Sequence, residues 1–293
     1  MIKSIFEDAK REFSYGNMVT RLILINVAVF VLVHIVNIIL FAANGASKSP
    51  AYTEFIQFFS MSSDVMHIIT HPWVPVSSMF LHEGFWHILW NMLFLYWFGR
   101  IVGDFLGDKR VLPIYLLGGL FGGLFFYASA NLLPGGSGEV RYALGASGGV
   151  MAMVVAAGVL APDYIMRLLF LGDVKLKYIV MVLVFLDMIG IANDMNTGGH
   201  FAHLGGALMG WLYISQLRNG IDWGKPFISF SEWIKGIGKP KMKVVKTNGG
   251  KRPVKQQTNQ EKLDEILDKI KQSGYKSLTK EEKEYLFKAS EEN

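Results

Sequence analysis

The chain has 293 residues, of which 51% are hydrophobic and 13% aromatic, with a mean hydropathy of +0.31 and a net charge of +5. Soluble domains rarely average that apolar, so a bilayer is the first solvent to test. Cysteine is absent, which excludes disulfides and thiolate metal sites.

The apolar surplus lies in the first 218 residues; the last 75 are polar and carry most of the net positive charge. Residues 1–20 hold Lys3, Glu7, Asp8, Lys10, Arg11 and Glu12 ahead of the first apolar run, and no small-residue cleavage site follows closely. This is not the form of a signal peptide, and a short cytoplasmic N-terminal segment is expected. A membrane helix needs roughly 17–25 mostly apolar residues. Six segments qualify: Leu22–Ala43, Gly84–Val102, Leu112–Leu133, Gly145–Ala161, Leu176–Ala192 and Phe201–Leu217. The third carries no charge, the fourth and sixth are short and rich in Gly and Ala, and the fifth contains Asp187. Between the first and second spans, the segment Asn44–Met79 holds Phe55, Phe58, Phe59, Met66, Ile69 and Trp73, as fits either an interfacial segment or an ordinary extracellular loop.

Lys and Arg order the loops. Lys3, Lys10, Arg11 and Arg21, then Arg100, Lys109 and Arg110, then Arg167, Lys175 and Lys177, then Arg218 and the tail all fall on one side of a six-span chain. The opposite loops carry only Lys48 and Arg141. By the positive-inside rule both termini are cytoplasmic. The expectation is an all-α, multi-pass protein of the cell (inner) membrane, its polar site open toward the outer side.

Three places break the apolar pattern. The second span opens with His82, His87 and Asn91. The fourth opens with Gly145-Ala146-Ser147-Gly148-Gly149, and the sixth with His200 and His203. Polar groups at membrane depth are costly unless they find partners, about 2–7 kcal/mol for an unpaired amide or hydroxyl. These three spans run in the same direction, so their polar first turns share one depth at ~1.5 Å rise per residue. His87 and Asn91 are four apart and share a face. Gly206-Ala207-Leu208-Met209-Gly210 is a GxxxG pattern, and Gly148, Gly149, Ala152, Ala156 and Ala157 form a matching small face. Alone, the GxxxG pattern reads as plain helix packing, and a lone histidine as an interhelical hydrogen bond.

Together they read as chemistry. A serine hydroxyl needs a neighbouring base, for which neutral histidine suits. Ser147 and His203 fill these roles; the helix start at Ser147, His87 and Asn91 can stabilise an oxyanion. No acidic third member is evident: Asp187 or Asp194 can orient a histidine, but Asp187 reads first as a helix–helix hydrogen bonder. A two-residue unit is expected, served by a polar cavity beneath the Gly-rich segment Pro134–Leu144.

His87-x-x-x-Asn91 with His82 upstream, Gly145-Ala146-Ser147-Gly148, and Ala202-His203-x-x-Gly206-x-x-x-Gly210 resemble the ordered motifs of the rhomboid intramembrane serine proteases, of the bacterial six-span type, over residues 20–218. The resemblance implies a six-helix rhomboid-like bundle with Ser147 as nucleophile and His203 as base, and with His87, Asn91 and the Ser147 backbone N–H as oxyanion hole. It implies cleavage of single-span membrane proteins without metal or cofactor, and a fifth span that moves sideways as the gate. One departure is Met151, where some members place an aromatic against the histidine. Gly145, Met151 and His82 are expected to support the site; His200 is expected at most to do so, and reads first as a loop residue.

The domain expectation is a protease domain over 21–218, a basic linker over 219–259 and a cytoplasmic helical hairpin over 260–293. The Lys-rich run Lys235–Lys255 suits either anionic lipid or plain solubility. Leu263, Ile266, Leu267 and Ile270 mark one hairpin helix, and Thr279-Lys280-Glu281-Glu282 is a capping box for the second. That hairpin is expected to bind a protein partner or to self-associate; no nucleic acid is expected. Competing readings are a non-catalytic client-binding relative, a transporter, and a zinc protease. His82 and His87 are five apart, whereas the zincin helix needs four.

Overall fold

The computed structural model describes residues 2–47, 49–133, 140–193, 196–236 and 259–291. In chain order, the helices are α1 (Ile2–Tyr15), α2 (Met18–Ala43), α3 (Pro50–Phe59), α4 (Val65–Thr70), α5 (Val74–Ser77), α6 (Phe85–Leu106), α7 (Val111–Leu132), α8 (Ser147–Leu160), α9 (Leu176–Ala192), α10 (Thr197–Arg218), α11 (Lys225–Gly236), α12 (Asn259–Ser273) and α13 (Lys280–Glu291). Four short strands interrupt them: β1 (Met61–Ser62), β2 (Tyr142–Ala143), β3 (Ile165–Leu168) and β4 (Gly172–Lys175). The chain divides into two units, 1–237 and 238–293.

Each of the six apolar segments is a helix: α2, α6, α7, α8, α9 and α10. Among the described residues, Met18–Ala43 and Asp108–Leu132 are the two helices long and apolar enough to cross a membrane by length and composition. α6 carries Arg100, Asp104, His87 and Asn91, and α10 carries Gln216 and two histidines, which lowers their averages. α8 starts at Ser147, two residues later than the sequence suggests, and α10 starts at Thr197, four residues earlier.

Glycine sets the centre of the first unit. α7, α8 and α10 meet where Gly118, Gly148 and Gly206 pass one another. A β-carbon on Gly206 would collide with the Gly148 carbonyl, and one on Gly210 with that of Ala152. On α7, a β-carbon at Gly122 would lie 2.9 Å from the Ala202 carbonyl oxygen. Such close approach gains dispersion energy that bulkier residues forbid. α6 packs Leu95, Phe98 and Val102 onto the other face of α8, and α2 adds Val19 and Leu22. Asn26 of α2 is buried; its amide donates to the Tyr115 hydroxyl at 3.3 Å, which donates to the Met79 carbonyl at 3.1 Å. These bonds tie α2, α7 and the start of the α6 approach together.

Most of the described part of Asn44–Met79 is helical, in α3, α4 and α5. Tyr52 and Ile56 of α3 are buried with Val33 and Leu81, while Phe58, Met66, Ile69 and Trp73 stay exposed. Its strand β1 pairs antiparallel with β2, Met61 opposite Ala143 and Ser62 opposite Tyr142. The chain just ahead of Ser147 is thereby held in place.

Beyond α10, the carboxylate of Asp222 accepts hydrogen bonds from Arg110 (3.0 Å), Tyr213 (3.1 Å) and the Gly224 N–H (2.8 Å). Burial alone would raise its pKa, but these donors hold the carboxyl below the usual carboxylate range. α11 occupies the first half of the segment expected as a linker; the rest of the Lys-rich run lies outside the described residues. In the second unit, Thr279 and Glu282 form the reciprocal cap: the Thr279 N–H donates to Glu282 (2.7 Å) and the Glu282 N–H to Thr279 Oγ1 (3.3 Å). Lys269 joins α12 to α13 through Glu282 at 2.7 Å, over buried Ile266 and Leu278.

Candidate active site

The N-terminal turns of α6, α8 and α10 surround one cavity of about 710 Å³, closed on a further side by Leu183, Leu186 and Asp187 of α9. Its volume lies within the range of small-molecule sites. Ser147, His203, His87 and Asn91 all line it, as does Met151 one turn after the serine. The polar breaks in three separate apolar runs thus meet in one place.

The serine is presented by a turn that requires glycine. Gly145 has φ +124°, a conformation that side chains rarely adopt, and its N–H donates to the Ser78 carbonyl at 2.8 Å. A β-carbon at Gly145 would come within 2.8 Å of the His87 ring, so that ring lies directly over the backbone two residues before Ser147. The next amide, Ala146 N–H, donates to Nε2 of fully buried His82 at 3.3 Å. His82 itself lies ahead of α6, not on it. Ser147 opens α8, where backbone N–H groups have no intrahelical acceptor and the helix dipole favours negative charge.

On α6, Asn91 is buried and donates one amide hydrogen to the His87 carbonyl at 2.8 Å. The second amide hydrogen remains for the cavity. Met151 is buried beside them.

On α10, His203 Nδ1 lies 2.7 Å from Asp187 Oδ1, and His200 Nδ1 lies 2.7 Å from the same oxygen. An ionised carboxylate only accepts hydrogen bonds, so Nδ1 is the donor on both rings, and a neutral His203 with this partner has its lone pair on Nε2. The ligand atoms of Asp187, His200 and His203 fall within 4.8 Å of one another, a donor set whose composition also suits a divalent cation.

One expectation changes here. His200 is not a loop residue: it sits in the first turn of α10, three residues before His203, so both rings reach one acceptor. Asp187 is the helix–helix hydrogen bonder that the sequence suggests: from the C-terminal half of α9 it accepts from His203 and His200 on α10. The i, i+3 spacing of His200 and His203 was the available signal. Asp194 and residues 134–139 of the Gly-rich segment lie outside the described residues. Trp86, Trp90 and Phe94, spaced by four along α6, also line the cavity and carried no functional signal.

The fold and the site together define a helical bundle, packed on glycine, that gathers a helix-initiating serine and a carboxylate-bonded histidine around one cavity. The Rhomboid domain model matches residues 70–219, half of the chain, and the chain belongs to the rhomboid family. Residues 253–292 match DUF6576, a family of unknown function. The chain is similar to Presenilin-associated rhomboid-like protein A, mitochondrial, of Danio rerio (30% identity, covering 53% of this chain and 40% of the relative). It is similar to RHOMBOID-like protein 12, mitochondrial, of Arabidopsis thaliana (30%, covering 50% and 46%). It is also similar to Rhomboid protein 1, mitochondrial, of Saccharomyces cerevisiae (30%, covering 70% and 55%). The chain spans about half the length of the curated relatives it matches.

These relatives are mitochondrial by name, and that finding overturns the expectation of a bacterial cell inner membrane with cytoplasmic termini. Lys and Arg bias sorts loops onto two sides of a bilayer and says nothing of which bilayer it is.

Proposed function

We propose that the chain is an intramembrane serine endopeptidase that hydrolyses single-span membrane proteins, with α2, α6, α7, α8, α9 and α10 as its six spans. The observation that carries this reading is the single cavity lined jointly by Ser147, His203, His87 and Asn91. Helix lengths support it. α8 has 14 residues, about 21 Å, against a hydrocarbon core of about 30 Å. A helix that short begins below the membrane surface, where non-helical backbone needs protein or a water-filled cavity to cover it.

In this reading Ser147 Oγ attacks the scissile carbonyl carbon while its proton passes to His203 Nε2. The developing oxyanion takes hydrogen bonds from the Ser147 backbone N–H, His87 and Asn91. Collapse breaks the C–N bond as His203 returns the proton to the leaving amine. Water, deprotonated by the same histidine, then attacks the acyl carbon; the C–Oγ bond breaks as His203 returns the proton to Ser147, releasing the carboxylic acid. The basic run and the hairpin are proposed to meet anionic lipid and a protein partner, or a second copy. The non-catalytic alternative is disfavoured because the serine and the histidine are both retained.

The test is cleavage of a fluorescent single-span substrate by the full chain in liposomes. Ser147→Ala and His203→Ala are each expected to lose activity by about a thousandfold or more. His87→Ala and Asn91→Ala are expected to lose on the order of 10²–10³-fold. Chelators are expected to change nothing. Undiminished cleavage by Ser147→Ala, or loss of cleavage on chelation, overturns the assignment.

A further inference from the structure

The reaction just described leaves Asp187 unused. Asp187 is the sole acidic residue of α9, whose other residues are apolar apart from Lys177 and Tyr178. Its side chain is 9% exposed. A carboxylate in such a helix is costly unless compensated. Two imidazole N–H donors compensate it, both at 2.7 Å on Oδ1, in the distance range of charge-assisted hydrogen bonds.

The neighbouring sequence of α9 fits this arrangement. Gly190 lies three residues beyond Asp187, and a β-carbon there would collide with the His200 ring. α9 therefore offers α10 a carboxylate and, one turn on, the gap that seats His200. His200 holds the carboxylate from one side, while His203 takes it from the other.

We propose that Asp187 is a positioning residue for His203, so that the working unit of the proposed protease is Ser147–His203–Asp187, with His200 fixing the carboxylate's orientation. This rests on the reading of Ser147 and His203 as nucleophile and base. The carboxylate holds the Nδ1–H tautomer, which leaves Nε2 as the nitrogen able to accept the serine proton. It also stabilises the imidazolium formed once that proton has moved. Asp187 touches no reacting atom; its effect passes through the ring it orients.

The experiment compares wild type, Ser147→Ala, Asp187→Asn, Asp187→Glu and His200→Ala as full chains in liposomes, recording kcat, KM and thermal unfolding. Asp187→Asn is expected to lower kcat about a hundredfold or more with KM within about twofold. Asp187→Glu, which keeps a carboxylate, is expected to recover part of that loss. His200→Ala is expected to lower kcat by a smaller factor than Asp187→Asn does, since Asp187 keeps His203 as a partner. An inactive Ser147→Ala beside an Asp187→Asn enzyme that cleaves at the wild-type rate overturns this proposal and leaves the protease reading standing. An active Ser147→Ala overturns the protease reading itself. A loss of Asp187→Asn activity that follows only its unfolding also counts against the proposal. Nitrogen-15 histidine spectra of the wild-type chain, with His203 assigned from His203→Ala, test it without any Asp187 variant: the Nδ1–H tautomer is expected, and Nε2–H overturns it.

Discussion

Gly145 joins backbone strain to the site at a single residue. Its positive φ and the His87 ring above it leave no space for a side chain. Gly145→Ala is expected to displace both the ring and the turn into Ser147, lowering kcat/KM by about tenfold or more and lowering the melting temperature as well. A wild-type kcat/KM would remove the geometric role assigned to this turn. Far from the cavity, Asp222 gives a pH-dependent expectation. Its folded carboxyl titrates below the unfolded value of about 3.9. The stability it contributes is therefore complete above about pH 5 and is lost as pH falls through the depressed folded value. Asp222→Asn is expected to cost about 1.5–3 kcal/mol at neutral pH. It should also flatten the acid side of the melting-temperature profile; parallel profiles for the two proteins would contradict this. At this scale the sequence disclosed Ser147, His203, His87 and Asn91 as residues that line one cavity, since each stands out as a polar residue in an apolar run. Asp187 stood out equally. What it touches depends on the lean of α9 over α10, and no spacing within one helix encodes that.

Among elements, the junction of α7, α8 and α10 decides whether the serine and histidine helices meet. Gly206→Leu places a side chain against the Gly148 carbonyl, and overpacking of this kind costs about 1–3 kcal/mol or more. Loss of the folded detergent-solubilised protein, or a sharply lower melting temperature, is expected. Gly103→Ala on α6 is the control: its β-carbon would sit 3.6 Å from Val111, an ordinary contact, and its effect should stay within about 1 kcal/mol. Equal sensitivity at both positions would mean that close approach is not what Gly206 provides. The spacing Gly206 to Gly210 and the small face of α8 were visible in advance. The third surface, Gly118 and Gly122 of α7, was hidden. In a run of apolar residues with paired glycines, no charge marks which side faces a neighbour.

The whole chain is two units with different logic. The first buries aromatic and aliphatic residues around glycine contacts. The second is a short helical pair closed by the Thr279–Glu282 cap, the Lys269–Glu282 ion pair and the buried Ile266 and Leu278. A chain ending at residue 237 is expected to unfold at the same temperature as the full chain. A large drop would show that the first unit depends on the second. α9 carries a different implication. It exposes Met181, Val182, Phe185, Leu186 and Met188, so little besides its inner face fastens it to the rest. That inner face includes the carboxylate on His203. Any swing of α9 wide enough to admit another helix would carry the acid off the base, and closing would restore it. The doorway and the trigger would then be one interlocked part, unable to stand open and armed together.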